Sequence, residues 1–547
     1  MSKKNSLLRV KLSEKGLWLQ KESNGHTKTD TISLEDIVGC RCMRSKRFDS
    51  AKCGWHPGPR RRNQSKVVDE NSTEQRDETD TSAFLYIYAY VLKKSKVKMT
   101  KRRERMVLTL RFYSYDRYED NIREAQKWKV TIKFLLQVNL RGPNLPSCYF
   151  RSSDNIIDNK ILVLLNPKSG VGKSRDVFQN KVVPILTEAD INYDLHVTRF
   201  SNDARNVMRT QNLWQYTGGI VVVGGDGILF EAINGLMERP DWQPLLENLR
   251  FGIIPCGSGN GLAKSISYAS CEPHDNSPVL ISTLNIVRGL SSPMDLVRVE
   301  TKNLVLFSFL SIGWGLLADI DIESERLRSI GSQRFTIWSI ARLIGLRTYK
   351  GTVSYLPASN DKLHRRSSGA SEFLLICLQD EDRRDSFYSV CSRKSTYHSA
   401  AGSSYESLTE ETSRTFGPPS NFPPLTQPVP SNWQVISGEF VLVQAAYQSH
   451  LATDVFFAPS AKLDDGFMWL MIVRAGISRA HLLQFLLGLS NGTHVSIPRA
   501  EMVTVAAFRI EPEANSGHMT VDGELIELGP IQGQVIPSAA RVFARPQ

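Results

Sequence analysis

The sequence predicts an α/β domain built on a parallel sheet, then a β-rich antiparallel sandwich domain, with an extra small β domain at the N-terminus. Three observations carry this. Unbroken apolar runs at ILVLL (161–165), GIVVV (219–223) and FGIIP (251–255) each lead directly into a glycine-rich turn and a helix-like segment. Strands without polar alternation are covered on both faces, as in a parallel sheet flanked by helices. After about Ser292 the runs alternate instead (LVRVETKNLVLFSFLSIG, EFVLVQAAY, GFMWLMIVRAG, MVTVAAFRIEP, HMTVDGELI), the pattern of antiparallel strands with one face buried. Before about residue 140, short runs of β-branched and aromatic residues (LLRVKL, GLWLQ, FLYIYAYVL, MVLTLRFYSY) end in a helical stretch from Tyr118 to Gln137.

A chain of 547 residues is too long for one core, so several domains are expected: 1–150, 158–292 and 293–547. The first resembles a pleckstrin-homology-type module. Within it Phe48 to Ser82 is polar and charged and reads as a mobile surface loop. The last is interrupted at about 358–432 by a stretch rich in Ser, Thr, Pro and charge, read as a disordered insertion that is either a regulatory phosphorylation segment or a neutral spacer; only SEFLLICLQ in it could form a strand.

Composition is that of a globular protein, with 41% hydrophobic and 23% charged residues. The longest apolar stretch, around Phe307 to Leu317, is too short to span a bilayer, and the N-terminus MSKKNSLLRV shows no secretory pattern, so a cytoplasmic protein is expected. Eight scattered cysteines, with only Cys40 and Cys42 close together, indicate neither a disulfide framework nor a zinc site. The net charge of +12 is compatible with an anionic membrane surface or a phosphate-bearing substrate; no nucleic-acid partner is expected. Lys93 to Arg105 holds eight Lys or Arg residues against the single acid Glu104, which reads either as a solvated hairpin tip or as a patch for peripheral membrane contact.

The chemistry lies in the glycine turns. All three follow strands of one parallel sheet and therefore fall on its carboxyl edge, where ligands of such sheets bind. In NPKSGVGKS, Gly170 and Gly172 let the backbone approach a phosphate, and Lys168 and Lys173 can add charge. It is not a Walker A loop, because the position five residues before Gly172 is Pro167. In Gly224-Gly225-Asp226-Gly227 the glycines hold one carboxylate where phosphates would lie, with Glu231 a helical turn further on. A carboxylate facing phosphate is repelled unless it binds metal or takes a proton from an attacking hydroxyl, which points to phosphoryl transfer. Gly257-Ser258-Gly259 supplies the third turn.

These segments resemble, in order and spacing, the diacylglycerol kinase-type catalytic domain, and ADIDIESERLRSIGSQRFTIWSIARLIGLRTYKG with the late VDGELI resembles the sphingosine kinases within it. The resemblance covers Ile161 to the C-terminus apart from the Ser/Pro insertion. It implies an ATP- and Mg2+-dependent lipid kinase that phosphorylates the primary hydroxyl of a sphingoid base to give sphingosine 1-phosphate and ADP. Asp226 would be the general base and, with Gly224, Gly225 and Gly227, would face the lipid hydroxyl, while Asp321 would hold the head group. Asn166, Pro167, Lys168, Thr198, Arg199, Phe200, Ser201, Asn202, Glu231, Gly257, Ser258 and Gly259 would contact the nucleotide. Arg328 and Arg334 would reach its phosphates, and Asp522, Gly523 and Glu524 would complete that side; no metal ligand is assigned.

An ammonium-bearing substrate agrees with an acidic head-group site, since a neutral diacylglycerol gains little from one. In FTIWSIARLIGL the residues Ile337, Ile340, Ala341 and Ile344 share a helical face. That face reads either as core or as a lid that meets the membrane, and the resemblance implies a calmodulin-type partner at 335–350. The alternatives are a kinase of ceramide or diacylglycerol, a soluble NAD-type kinase, which shares the Gly-Gly-Asp-Gly turn, and a non-catalytic membrane adaptor.

Overall fold

The computed structural model describes residues 9–23, 26–47, 67–94, 101–141, 160–330, 333–358, 417–513 and 517–546. The chain divides into two compact units, the first comprising Met1–Ile157 with Val183–Ile191 and Val287–Gly289, the second Asp158–Val182, Asn192–Ile286 and Leu290–Gln547.

In the first unit, β1 (Arg9–Ser13), β2 (Gly16–Ser23) and β3 (His26–Ser33) form one antiparallel sheet. A second takes the order β5-β4-β6-β7 from β4 (Ile37–Ser45), β5 (Val67–Asp69), β6 (Ala83–Lys94) and β7 (Lys101–Phe112). Helix α1 (Tyr118–Arg141) buries Ile122, Ala125 and Ile132 with Leu17, Leu85 and Ile87. The loop expected over 48–82 is ordered in its second half. Strand β5 pairs with β4, and Arg44 donates to the carbonyls of Glu70, Ser72 and Glu74, so one guanidinium satisfies a turn that composition alone marks as mobile. Residues 48–66 lie outside the described residues, as do 95–100 in the basic stretch, where Lys93 pairs with Glu104 at 2.7 Å.

The second unit begins with four parallel strands, β8 (Ile161–Leu165), β9 (Tyr193–Val197), β10 (Gly219–Gly224) and β11 (Phe251–Pro255), in the order β9-β8-β10-β11. Every residue of β8, β10 and β11 is buried, which is why these runs show no alternation. The expected boundary near residue 292 falls inside this unit. The hairpin β12 (Ser291–Thr301) and β13 (Val305–Ser308) and the strands β14 (Ser311–Gly315), β15 (Tyr349–Pro357), β16 (Gln434–Ala446), β17 (Met468–Arg474), β18 (Ala500–Pro512), β19 (Met519–Val521) and β20 (Glu524–Ile526) pair antiparallel. The late strand β21 (Ile531–Phe543) pairs parallel with β11 and antiparallel with β12 and β18, so hydrogen bonding is continuous from one half to the other.

The end of the expected insertion is also ordered. Arg509, fully buried, donates to the carbonyls of Gln427, Pro423 and Pro424, and Gln532 also donates to Pro423, which fastens 417–432 to β18 and β21. A proline-rich segment has unpaired carbonyls to offer, and a buried guanidinium needs acceptors. Residues 359–416, including SEFLLICLQ, lie outside the described residues.

Four further helices position the site: α2 (Asp203–Thr210), α3 (Asp226–Met237), α4 (Gly261–Ala269) and α5 (Leu316–Ser324). Within α3, Asn234 is buried and accepts from the amide of Phe307 and donates to the carbonyls of Phe307 and Phe230, tying this helix to β13. Replacing Asn234 with Ala leaves the Phe307 amide and carbonyl buried without that partner, so chemical denaturation should show a loss of about 2–4 kcal/mol.

Candidate active site

The turns after β8, β10 and β11 meet glycine to glycine. A Cβ on Gly257 would lie 2.4 Å from the Cα of Gly225, and one on Gly170 would lie 2.4 Å from the carbonyl oxygen of Cys256. Only hydrogen side chains let these backbones approach so closely. Asn260, at φ +57°, closes the third turn: its Oδ1 accepts from the Gly257 amide at 2.9 Å and its Nδ2 donates to the Gly257 carbonyl at 2.8 Å.

Asp226 is the first residue of α3, and its carboxylate reaches across to the start of α4, accepting from the amides of Gly261 at 2.8 Å and Leu262 at 3.2 Å. Burial pushes its carboxyl above the ordinary range, and these amides offset part of the rise. Glu231, farther along α3, lies against the start of α2; burial raises it to about 7, with the amides of Asn202 and Ala204 acting the other way. Strand β9, which no glycine turn announces, brings Thr198–Asn202 to the same edge.

The β-rich half supplies the facing wall. Asp522 and Gly523, both at positive φ (+52° and +83°), form the turn between β19 and β20. The Asp522 carboxylate accepts from Ser308 Oγ at 2.5 Å and from the amides of Phe309, Leu310 and Ser311 at 2.9–3.0 Å, and burial raises its pKa to about 6. Asp522 lines the cavity as expected, and its four donors also make it the anchor of the turn that presents its neighbours. Glu524 Oε1 lies 2.4 Å from where a Gly227 Cβ would stand, and Asp321 Oδ2 lies 3.4 Å from the corresponding point on Gly523.

Helix α6 (Gln333–Ile344) brings Arg334 to the same wall, with Nη1 3.0 Å from Glu325 and Nη2 3.5 Å from Asp321. Asp319, Glu323 and His518 converge nearby closely enough for a metal ion. Two cations and a neutral donor already partner that cluster: Arg342 pairs with Glu323, Arg347 approaches Asp319 at 3.8 Å, and Trp338 Nε1 donates to Glu323 at 2.8 Å. The network fastens α6 to α5.

Asp226 and Asp321 line one cavity of about 1460 Å³, together with every other expected site residue except Gly224 and Arg328. Gly224 is held in the sheet edge, where its carbonyl accepts from the amides of Cys256 and Gly257; the side chain of Arg328 lies outside the described residues. The cavity lining also includes apolar side chains, among them Leu310, Ile320, Phe335, Leu451, Val455 and Leu486. The face of α6 left open between core and lid is exposed: Ile337, Ile340 and Ile344 are 47%, 54% and 72% accessible, while Phe335, Trp338 and Leu343 pack inward. Glu325 is a cavity residue missed from the sequence, although its place four residues after Asp321 was a signal.

A diacylglycerol kinase catalytic domain model matches residues 160–299, and a YegS C-terminal NAD kinase beta sandwich-like domain model matches 425–544. Human sphingosine kinase 1 is 38% identical over 386 residues, covering 69% of this chain and 89% of that protein. The chain belongs to the sphingosine kinase family. Human sphingosine kinase 2 is 33% identical over 525 residues, covering 81% of this chain and 79% of its own length. Among solved structures, a diacylglycerol kinase from Bacillus anthracis str. Sterne gives a TM-score of 0.45 at 17% identity, covering 71% of this chain and 97% of that one. As a member of the sphingosine kinase family the chain is a lipid kinase, and the catalytic domain match at 160–299 includes all four parallel strands β8 to β11.

Glu231 makes stability depend on pH. Its folded pKa of about 7 stands above the ordinary carboxyl value, so its contribution is full below about 4.5 and is lost as pH rises through 7. Stability of the parent relative to Glu231→Gln should therefore fall across that window, by on the order of 1–3 kcal/mol, in denaturation series at fixed ionic strength.

Proposed function

We propose that this chain transfers the γ-phosphoryl group of ATP to the primary hydroxyl of a sphingoid base, giving the base 1-phosphate and ADP. The observation that carries the reading is that Asp226 and Asp321 line one cavity together with polar and apolar side chains. The hydroxyl oxygen attacks the γ-phosphorus as its proton passes to Asp226, and the bond to the β,γ-bridging oxygen breaks with its electrons leaving on ADP. Burial favours proton uptake by Asp226, and the amides of Gly261 and Leu262 keep its carboxylate aimed.

The glycine contacts suit a nucleotide, because backbones stripped of side chains can lie against phosphates. Glu524 offers a hard oxygen ligand of the kind magnesium prefers, and the ion when bound would neutralise phosphate charge. Asp321 would attract the ammonium of the aminoalcohol, and the apolar side chains of the lining would take the tail. Near the mouth, the exposed Ile340 and Ile344 of α6 and Leu483 and Leu487 of α7 (Arg479–Gly488) suit contact with a membrane surface, through which the lipid would arrive. A calmodulin-type partner would compete for the same exposed face. The strands and closing helix of the first unit suit a pleckstrin-homology-like module.

Radiolabelled ATP offered with sphingosine, ceramide, diacylglycerol and NAD should label sphingosine; preferential labelling of any other acceptor sinks the reading. Asp226→Asn should lower kcat by about 10²–10⁴-fold with little change in the KM for ATP, which also separates an enzyme from an adaptor that needs no catalysis. Ile344→Glu should reduce sedimentation with anionic vesicles while leaving turnover of detergent-dispersed sphingosine near the parent value.

A further inference from the structure

Arg334 is only 3% exposed and faces two acids from the wall of the cavity. Its Nη1 lies 3.0 Å from Glu325 and its Nη2 3.5 Å from Asp321, the longer separation being at the limit of a hydrogen bond. Its Nε is buried with no hydrogen-bond partner among the described residues. A guanidinium has five donors, and the two contacts to acids do not use all of them, so this cavity-lining group retains capacity for a further acceptor.

The placement creates a conflict of charge. Resting on the proposed function, an ammonium that approaches Asp321 meets a fixed cation within a few ångströms, at a depth where charges are poorly screened. We propose that Arg334, positioned by Glu325, couples the two substrate sites: a bound triphosphate engages the guanidinium, relieves its repulsion at Asp321, and so raises the affinity for a cationic aminoalcohol lipid. Coupling of this kind is reciprocal, so the lipid ammonium raises nucleotide affinity by the same factor. Glu325 is a positioning residue. It draws Arg334 toward itself at 3.0 Å, and without its charge the guanidinium turns to Asp321 alone.

The test is equilibrium binding of sphingosine, and of the uncharged N-acetylsphingosine, to the full chain in mixed micelles with and without a non-hydrolysable ATP analogue and magnesium. The analogue should tighten sphingosine by about 5–50-fold and leave N-acetylsphingosine within about twofold. Glu325→Gln should weaken sphingosine several-fold without nucleotide and enlarge the coupling factor, and Glu325→Asp should restore it toward the parent. The parent measurement needs no variant, so misfolding of a substituted chain does not protect the proposal. No change in sphingosine affinity on adding the analogue overturns it, as does equal tightening of both lipids, which would indicate closure around any lipid. If sphingosine is phosphorylated but uncoupled, only the coupling fails; if it is not phosphorylated, the functional reading fails first.

Discussion

One carboxylate holds the site together. Asp226 begins α3 and accepts the first two amides of α4, so the helices that follow two neighbouring strands are tied at their N-termini. Amides at a helix start have no partner within their own helix, and a buried acid is tolerated only where such donors meet it. The contact of Gly225 with Gly257 is the steric counterpart: the turns can touch because neither carries a Cβ. Geometry and acidity are therefore set together, since the amides that aim the carboxylate also moderate the rise in pKa that burial imposes.

The facing wall depends on similar chemistry at Asp522. Four donors from the segment joining β13 and β14 converge on its carboxylate and hold a turn of two consecutive positive-φ residues, beside which Asp321 and Glu524 stand. Strand β21 keeps this wall in register with the parallel sheet through its pairing with β11, and Asn234 adds a second tie between α3 and β13. In both walls a buried acid is a structural anchor, so substitution at either position acts on geometry.

Much of the parallel half was legible because its signals are local. Continuous apolar runs and glycine turns report two-sided burial and close backbone approach without reference to anything distant, and the resemblance added further residues that line the same cavity. The anchoring contacts of Asp522 and the pairing of Glu325 with Arg334 were not legible. The first depends on Ser308 and three amides more than two hundred residues away, the second on a helix whose placement no periodicity records. The exposed face of α6 was legible only as an apolar stripe. Which side of an amphipathic helix meets the core is decided by what packs against it.

By itself the sequence determined the parallel strands, the phosphate-compatible turns and the acid at the head of α3, because each is written in neighbouring residues. Only the tertiary structure decided that β21 joins the two halves of the second unit, that 417–432 is fastened through Arg509, and that Asp226 and Asp321 share a cavity. Those outcomes rest on hydrogen bonds and packing between residues far apart in the chain, whose pairing is set by the closure of the whole sheet and not by any local preference.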